Sequence, residues 1–310
     1  MIELVARARG LAGRLLSEEL LVDVERARDV RSLAAALRGA GITTISAPAV
    51  DATVRRTLAN ELALLVRWTG ERNGRRDTLA VIELDEDRRS LRGILRGLAA
   101  GVAPDSRLEG AIATSHLPER ALTQLATAAT IADLQRRLAR LDHPFSRALI
   151  VEPGAIDLVA GELALARAFA AATASTRETA ARIYIAQLID IENVAAITAF
   201  RSRGRALHVD RLFLAGGQRL ARDQLIAMAK ADAWREQLAR TFARTPIASA
   251  IFAPAALEDA ALTWQLTTQA RLRRSDPHGL AAVLHFVLCR RREAERLRRA
   301  AWRVAFGGAA

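Results

Sequence analysis

The chain has 310 residues, of which 51% are hydrophobic but only 4% aromatic; this favours helix packed on helix, because sheets prefer β-branched and aromatic residues. Its formal charge of +12 comes almost wholly from arginine, since Lys230 is the only lysine, and such a charge favours acidic partners or anionic membrane surfaces. The single cysteine, Cys289, excludes an internal disulfide, and no run reaches the ~18 uncharged residues of a spanning helix, so we expect a soluble cytoplasmic protein.

The first 40 residues predict short helices. Ser17, followed by Glu18 and Glu19, is a predicted N-terminal cap, because a hydroxyl accepts free backbone amides and acids suit the positive end of the helix dipole. The apolar positions of this stretch recur 101 residues later and, with a small gap, a third time. The three sets are Leu16, Leu21, Val24, Val30, Leu33, Leu37; Leu117, Leu122, Leu125, Ile131, Leu134, Leu138; and Leu220, Leu225, Met228, Trp234, Leu238.

A second predicted element follows each set and begins with a proline. The three prolines are Pro48, Pro153 and Pro254, and proline is tolerated in the first helical turn, where it pre-sets φ. These positions therefore predict three equivalent helix starts. The middle element includes 155–174, which comes closest to a membrane span but is interrupted by three charged residues.

The third predicted element is a long helix, and its central copy runs from Ile183 to Arg205. Its apolar residues recur at the three- and four-residue spacing of a helix: Ile185, Leu188, Ile189, Val194, Ile197 and Phe200. A shift of 105 residues aligns it with an earlier helix, and this alignment pairs Asp85 with Asp190, Leu91 with Ala196 and Arg96 with Arg201. A third long helix is predicted from Leu280 to about Val304.

The chain is thus predicted to be all-α, with three similar helical-bundle repeats at 1–90, 91–195 and 196–310. Each long helix leads into the short helices of the next unit. The N-terminal ARARGLAG resembles the sequence after the long helices, LRGLAAG and FRSRGRA. The two ends of the chain are therefore expected to meet, and the units could close around a pseudo-threefold axis.

A search for chemistry predicts no catalytic, cofactor-binding or metal site. The five histidines lack a second ligand at metal-binding spacing, and Gly216-Gly217 lacks the rest of a phosphate-binding loop, so a turn explains it better. Asp85 and Asp190 are interpreted as caps or interhelical partners, and His285 and Cys289 as core residues. The segment from Arg271 to Arg303 contains ten arginines and three acidic residues, and this excess of positive charge predicts either a solvated helix face or a docking surface.

Together these segments resemble the C subunit of bacterial and archaeal V/A-type ATPases, the counterpart of the eukaryotic d subunit. The resemblance covers nearly the whole chain and rests on four segments in order: ARARGLAGRLLSEEL, LIDIENVAAITAFRSRGR, FLAGGQRLARDQLIAMA and DPHGLAAVLHFVLCRRREAERLRR. In the second segment Asp190, Asn193 and Arg201 match the family pattern. Two positions depart from it, since Arg88 and Arg296 stand where the family has asparagine, and family tyrosines are absent around Ile42, Phe145 and Ile247.

The resemblance implies a non-catalytic rotor subunit shaped as a pseudo-threefold funnel. Such a subunit lies on the cytoplasmic face of the membrane proteolipid ring, receives the tip of the central stalk and transmits torque for proton or sodium transport. It implies no cofactor and no small-molecule substrate. We predict Arg96, Arg201 and Arg205 as partner-contact residues, although helix-end arginines that neutralise the dipole would have the same pattern.

Two other classes of protein remain open from the sequence. A basic stripe between Arg271 and Arg303 would suit a nucleic-acid-binding protein that contacts a duplex backbone, although the single tyrosine and the few scattered phenylalanines and tryptophans argue against base stacking. A helical-repeat scaffold would be elongated instead of closed. An enzyme is the least supported class.

Overall fold

The computed structural model describes residues 1–43, 45–70, 76–146, 158–203 and 211–307, and over these ranges it contains helices and no strand, which confirms the all-α prediction. Two short 3-10 helices, Asp105–Leu108 and Pro254–Ala256, accompany the α-helices. The α-helices are α1 (Ile2–Ala12), α2 (Glu18–Arg26), α3 (Val30–Gly39), α4 (Ala47–Gly70), α5 (Arg76–Ala99), α6 (Glu119–Ala126), α7 (Ile131–Ala139), α8 (Leu158–Ala172), α9 (Thr179–Arg203), α10 (Arg222–Lys230), α11 (Trp234–Thr241), α12 (Ile247–Ala250), α13 (Leu257–Ser275) and α14 (Leu280–Ala305).

Three of the short helices, α2, α3 and α7, begin where a side chain accepts free backbone amides. The predicted cap is confirmed, because the Ser17 hydroxyl accepts a hydrogen bond from the Leu20 amide at the start of α2. Asp29 and Ser32 form a reciprocal capping box at α3, and the Thr130 hydroxyl caps α7. Each cap stabilises its helix by about 1 kcal/mol.

The three long helices α5, α9 and α14 form the centre of the protein. The prediction for the central one is confirmed, since α9 covers Thr179–Arg203 and all six of its predicted apolar residues are buried. By length and composition 179–202 could cross a membrane, but 72% of its most apolar window is buried inside the protein. The start of the predicted segment 155–174 lies outside the described residues, and its helix α8 has 15 residues, fewer than a membrane span needs.

The repeated apolar positions of the short helices are buried, except that Leu16 and Ile131 are half-buried and Val30 is 54% exposed. Val30 and Ile131 are the first residues of α3 and α7, so the 101-residue alignment of the two holds and only the burial of Val30 was wrongly expected. At the first turn of a helix a side chain can point away from the core that the following turns contact. Pro48 lies in the first turn of α4, and Pro254 lies in the 3-10 turn before α13. Pro153 lies outside the described residues.

The two ends of the chain meet, as the sequence predicts. Helix α14 contacts α1, α2, α3 and α4, and its C-terminal half shares a hydrophobic cluster with the first unit. The predicted unit boundaries at 90/91 and 195/196 fall inside the continuous helices α5 and α9. Each of these two helices therefore contributes residues to both predicted units that it joins. The division into three units and their pseudo-threefold arrangement stay predictions.

Carboxylates on the long helices hold the segment that follows each of them. Asp190 on α9 accepts hydrogen bonds from the backbone amides of Gln218, Arg219 and Leu220 at 3.0–3.4 Å. Burial of this side chain raises its pKa, and the backbone donors oppose that shift. Its role as a cap confirms the interpretation of Asp190 as a structural acid.

The equivalent acids on the other long helices are Asp87 and Glu293. Asp87 accepts the Thr114 hydroxyl at 2.5 Å, and the Thr114 oxygen in turn accepts the Leu117 amide. Glu293 accepts the Leu16 amide at 2.7 Å. By these contacts the counterpart of Asp190 is Asp87, 103 residues earlier, and the predicted alignment with Asp85 is wrong.

The misalignment has a simple geometric cause. A shift of two residues along an α-helix turns the side-chain direction by about 200° around the helix axis, so the side chain lies on the opposite face. Helices α5 and α9 are buried almost all round, so their apolar pattern marks no single face and does not fix the register. Only the hydrogen bonds of the polar residues distinguish a shift of 103 from one of 105.

The Gly216-Gly217 pair lies in a turn before α10, as predicted. Gly216 has φ +109°, and a Cβ added to Gly217 would lie 2.2 Å from the Asp190 Oδ1. The second glycine is therefore needed so that the turn can approach the carboxylate that caps it.

We expect Gly217→Ala to lower the free energy of unfolding by about 1–3 kcal/mol, because the new methyl group displaces the Asp190 carboxylate from its amide donors. Gly10→Ala is the matched control: it lies in α1 with nothing within 4 Å of the new Cβ, so it should be neutral or stabilise by up to about 1 kcal/mol. Urea unfolding of the purified chain measures both. Equal effects of the two substitutions would contradict the close approach.

Candidate functional site

The long helices surround a cavity of about 840 Å³, with walls from α5, α9, α13 and α14. Nearly half of its described lining residues carry a charged side chain. The cations are Arg88, Arg89, Arg92, Arg96, Arg291, Arg298 and Arg299, and the anions are Asp85, Glu109, Glu192, Glu258, Asp259 and Glu295. We call this the central cavity.

At the base of the central cavity Arg291 joins the three long helices. From α14 its guanidinium contacts Glu86 at 2.5 Å and Asp85 at 3.0 Å, both on α5, and donates to the Tyr184 hydroxyl of α9 at 3.1 Å. The Tyr184 hydroxyl donates to Asp85 at 2.5 Å. All four side chains are buried, so we call them the buried junction.

The charges of the buried junction stabilise one another. Burial alone would raise the pKa of Asp85, but the guanidiniums of Arg88 and Arg291 outweigh it and hold this pKa well below its usual range. Burial raises the pKa of Tyr184 well above its ordinary value, which keeps its proton available for donation. The prediction of Asp85 as an interhelical partner is thereby confirmed.

Arg88 extends the junction from α5 to α9. It contacts Asp85 at 2.8 Å and Glu192 at 2.6 Å, and Arg92 also contacts Glu192. Burial would raise the pKa of Glu192, but Arg92 and Arg88 lower it overall. Arg88, which the 105-residue alignment placed at the family's asparagine, is therefore part of the helix pairing.

The hydrogen bonds that Asn193 makes on α9 have a counterpart on α5, and Ser90 makes them there. Asn193 donates to the Leu214 carbonyl and accepts the Leu214 amide, at 2.9 and 2.8 Å. Ser90, 103 residues earlier, makes the same pair of bonds to Ile112 through its hydroxyl, at 3.3 and 2.9 Å. The 105-residue alignment hid this equivalence.

The arginine-rich run of α14 is partly internal, since Arg290, Arg291 and Arg296 are buried while Arg292, Arg299 and Arg303 are exposed. Arg290 makes a two-pronged contact with Glu61 of α4 at 2.8 and 2.9 Å. Arg296 contacts Glu18 at 2.8 Å and Glu25 at 2.7 Å, both on α2. Neither predicted interpretation of Arg271–Arg303, a solvated face or a docking surface, holds for these residues, because the carboxylates that neutralise them come from distant parts of the sequence.

The predicted contact residues lie apart. Arg96 lines the central cavity and bridges Glu162 of α8 at 2.5 Å and Glu258 of α13 at 3.0 Å, with a side chain 46% exposed. Arg201 instead donates to the Ala229 carbonyl at the end of α10 at 3.1 Å. Arg205 lies outside the described residues. For Arg201, the alternative interpretation as a helix-end arginine agrees with the contact.

Arg201 belongs to a recurring pattern that the sequence did not reveal. Arg107 donates to the Ala128 carbonyl at 2.7 Å and Arg303 to the Ala27 carbonyl at 3.1 Å. The three acceptors, Ala27, Ala128 and Ala229, are spaced by 101 residues at the ends of α2, α6 and α10. An arginine thus satisfies free carbonyls at the end of the same helix in each unit.

Sequence reasoning missed the buried junction, although a signal was present. The segment LDEDRR, from Leu84 to Arg89, carries five consecutive charges inside a long predicted helix, and all but the last residue are buried. Tyr184, the one tyrosine of the chain, is the residue that α9 contributes to the junction. Charges within a core helix indicate buried pairing.

His285 and Cys289 depart from the predicted core positions, since both are only half-buried. Among the histidines that the structure describes the buried one is instead His143, whose Nε2 lies 3.1 Å from the Asp87 carboxylate. Within the described ranges, no group of three or more His, Cys, Asp or Glu side chains is placed to hold a metal ion.

Over the described residues the protein is all-helical, and its charged side chains join helices and line the central cavity. The chain matches the family model for the ATP synthase (C/AC39) subunit over residues 4–308. It is similar to the C subunits of the V-type ATP synthases from two strains of Thermus thermophilus, with 32% identity to each over 97% of this chain and 93% of theirs. The chain therefore belongs to the ATP synthase (C/AC39) subunit family and is a non-catalytic subunit of a V/A-type ATPase.

We expect Arg291→Gln to lower the free energy of unfolding by about 3–5 kcal/mol, because it leaves the buried carboxylates of the junction without their cation. Arg299→Gln is the control, since it removes a guanidinium from the same helix whose partner, Asp259, is exposed; its effect should stay within about 1 kcal/mol. Urea unfolding followed by circular dichroism gives both values. A loss at Arg291 no larger than that at Arg299 would contradict the junction.

Proposed function

We propose that this chain is the rotor subunit that links the central stalk of a V/A-type ATPase to the proteolipid ring on the cytoplasmic face of the membrane. In this role it passes torque between ATP chemistry and proton or sodium transport. The observation that carries the proposal is the central cavity, whose walls are long helices joined by buried ion pairs. The membership of the family supports it.

The central cavity has the size and chemistry to seat the end of a stalk helix. A volume of about 840 Å³ holds about one to two turns of a helix that is 10–12 Å across. Charged groups with free surface lie at its mouth: the Glu258 side chain is 77% exposed, and those of Asp259 and Arg299 are more than half exposed. Because these groups are already exposed, they can pair with a polar stalk tip without any rearrangement of the protein core.

The walls of the cavity suit a part that transmits torque. Ion pairs join α5 to α8, α9, α13 and α14, and α14 to α2, α4 and α13. A close-packed interior with paired charges between helices has low compressibility. Turning the stalk would therefore rotate the whole subunit and not deform one helix.

The pseudo-threefold funnel is part of the same proposal. It is supported by the acids Asp87, Asp190 and Glu293, spaced by 103 residues, and by the meeting of α14 with the first unit. Arg96 is kept as a contact residue for the stalk because it lies on the cavity wall. The internal hydrogen bond of Arg201 favours a structural role for that residue.

The sharpest test fills the central cavity without disturbing its walls. Gly93 lines the cavity on α5, and nothing lies within 4 Å of a Cβ added there. We expect tagged Gly93→Trp to recover the proteolipid ring from solubilised host membranes but to lose at least about 90% of the central stalk, as judged by mass spectrometry. Gly10→Trp, on the exposed surface of α1, should recover both partners.

The outcomes separate the two parts of the proposal. Full recovery of the stalk with Gly93→Trp would mean that the stalk binds elsewhere on the subunit. Recovery of neither stalk nor ring by the unsubstituted chain would overturn the rotor role itself. Circular dichroism of both variants checks that the fold is retained.

A further inference from the structure

A second cavity, of about 270 Å³, lies between α1, α13 and α14, away from the central cavity. Its floor is apolar, and three arginines stand around it. The floor residues are Ala8, Ala12, Leu15, Ala282 and Phe286, and the arginines are Arg9, Arg273 and Arg274. No acidic residue belongs to its described lining. We call this the side pocket.

The arginines of the side pocket differ from those of the central cavity because none has a carboxylate partner among the described residues. Arg9 donates to the Pro277 carbonyl at 2.8 Å, and the Arg273 guanidinium lies 3.2 Å from the His285 Nδ1. Arg274 makes no hydrogen bond or ion pair with any described residue. Three cations that share a concave surface, without compensation, create a positive potential that attracts an anion.

His285 adds a polar contact to this pocket without adding charge. Burial and the positive charge of Arg273 lower the pKa of His285 to about 4, so the ring is neutral at pH 7 and its Nδ1 can accept a hydrogen bond from Arg273. The Cys289 sulfur lies 3.5 Å from the same nitrogen. Burial raises the pKa of this thiol, which therefore stays protonated near neutral pH.

The side pocket has a cationic rim and an apolar floor, so it suits a ligand with an anionic group at one end and a hydrocarbon segment at the other. A carboxylate or phosphate can accept two parallel hydrogen bonds from one guanidinium, and such charge-assisted bonds are the strong ones. The floor offers methyl groups and one aromatic ring to a hydrocarbon segment. The volume is slightly below that of a typical ligand site, so it suits an anionic head with the first part of a chain and not a whole lipid.

We propose that the side pocket binds an anionic amphiphile, with its phosphate or carboxylate group held by Arg9, Arg273 and Arg274 and its apolar segment on the floor formed with Phe286. The ligand is either an acidic lipid of the membrane or a free anionic amphiphile, and both present the same chemistry. This inference does not depend on the rotor role, since it concerns a different cavity.

Calorimetric titration of the purified full chain with soluble dihexanoyl phosphatidic acid tests the proposal. We expect one molecule to bind each chain, dihexanoyl phosphatidylcholine to bind at least about tenfold more weakly because it lacks a net negative charge, and inorganic phosphate to bind more weakly still because it lacks the apolar segment. Bound phosphatidic acid should also slow the modification of Cys289, the only cysteine, by a thiol reagent.

The double variant Arg273→Gln with Arg274→Gln should weaken the affinity for phosphatidic acid by about tenfold or more. Arg31→Gln with Arg120→Gln is the control, since it removes the same total charge from exposed positions on α3 and α6. Its affinity should equal that of the unsubstituted chain. Both pairs are on the surface, so circular dichroism should show an unchanged fold.

The result distinguishes the source of the ligand and can overturn the proposal. Cosedimentation with phosphatidic acid vesicles that is lost in the Arg273/Arg274 variant assigns the pocket to a membrane lipid, whereas binding of the soluble form alone assigns it to a free amphiphile. The proposal fails if phosphatidic acid does not bind. It also fails if phosphatidylcholine or inorganic phosphate binds equally well, or if the two double variants have the same affinity.

Discussion

The structure depends on the pairing of buried guanidiniums with carboxylates between long helices. Removing an isolated ion from water costs several kcal/mol even after relaxation, so a helix that carries arginine into the core can only pack where an acid meets it. Arg291 has this role for α14, because Asp85, Glu86 and Tyr184 surround it. The polar residues thereby select one arrangement of α5, α9 and α14, a register that apolar packing alone would leave open.

The same principle operates at smaller scale where one unit joins the next. Asp87, Asp190 and Glu293 each hold the segment after a long helix, and Arg107, Arg201 and Arg303 each satisfy carbonyls at the end of a short one. These contacts recur at a constant spacing within the chain, although the acids and the donors that make them differ from unit to unit.

Two arginines that the sequence alignment placed at family asparagines, Arg88 and Arg296, both take part in this pairing. Arg296 joins the last helix to Glu18 and Glu25 of the first unit, and so helps to close the two ends of the chain on each other. Arg88 joins α5 to α9 through Glu192. In the 103-residue register the position of Asn193 is taken by Ser90 and Arg296, so of the two arginines only Arg296 replaces a short amide with a long cation, although both reach an acid on another helix. These links close the ends of the chain on each other and join α5 rigidly to α9.

Local sequence patterns were sufficient to predict the all-α class, the long helices, the Ser17 cap, the turn at Gly216-Gly217 and the resemblance to the family, because helix periodicity, capping and turn chemistry are local. They were not sufficient for the register between repeats, the internal position of the α14 arginines or the exposure of Val30. These features depend on how the helices pack, since the partner of each buried charge lies on another helix, often more than 200 residues away, as Glu61 does from Arg290. A charge run has the same sequence whether water or a distant carboxylate neutralises it, and the packed helices alone distinguish the two.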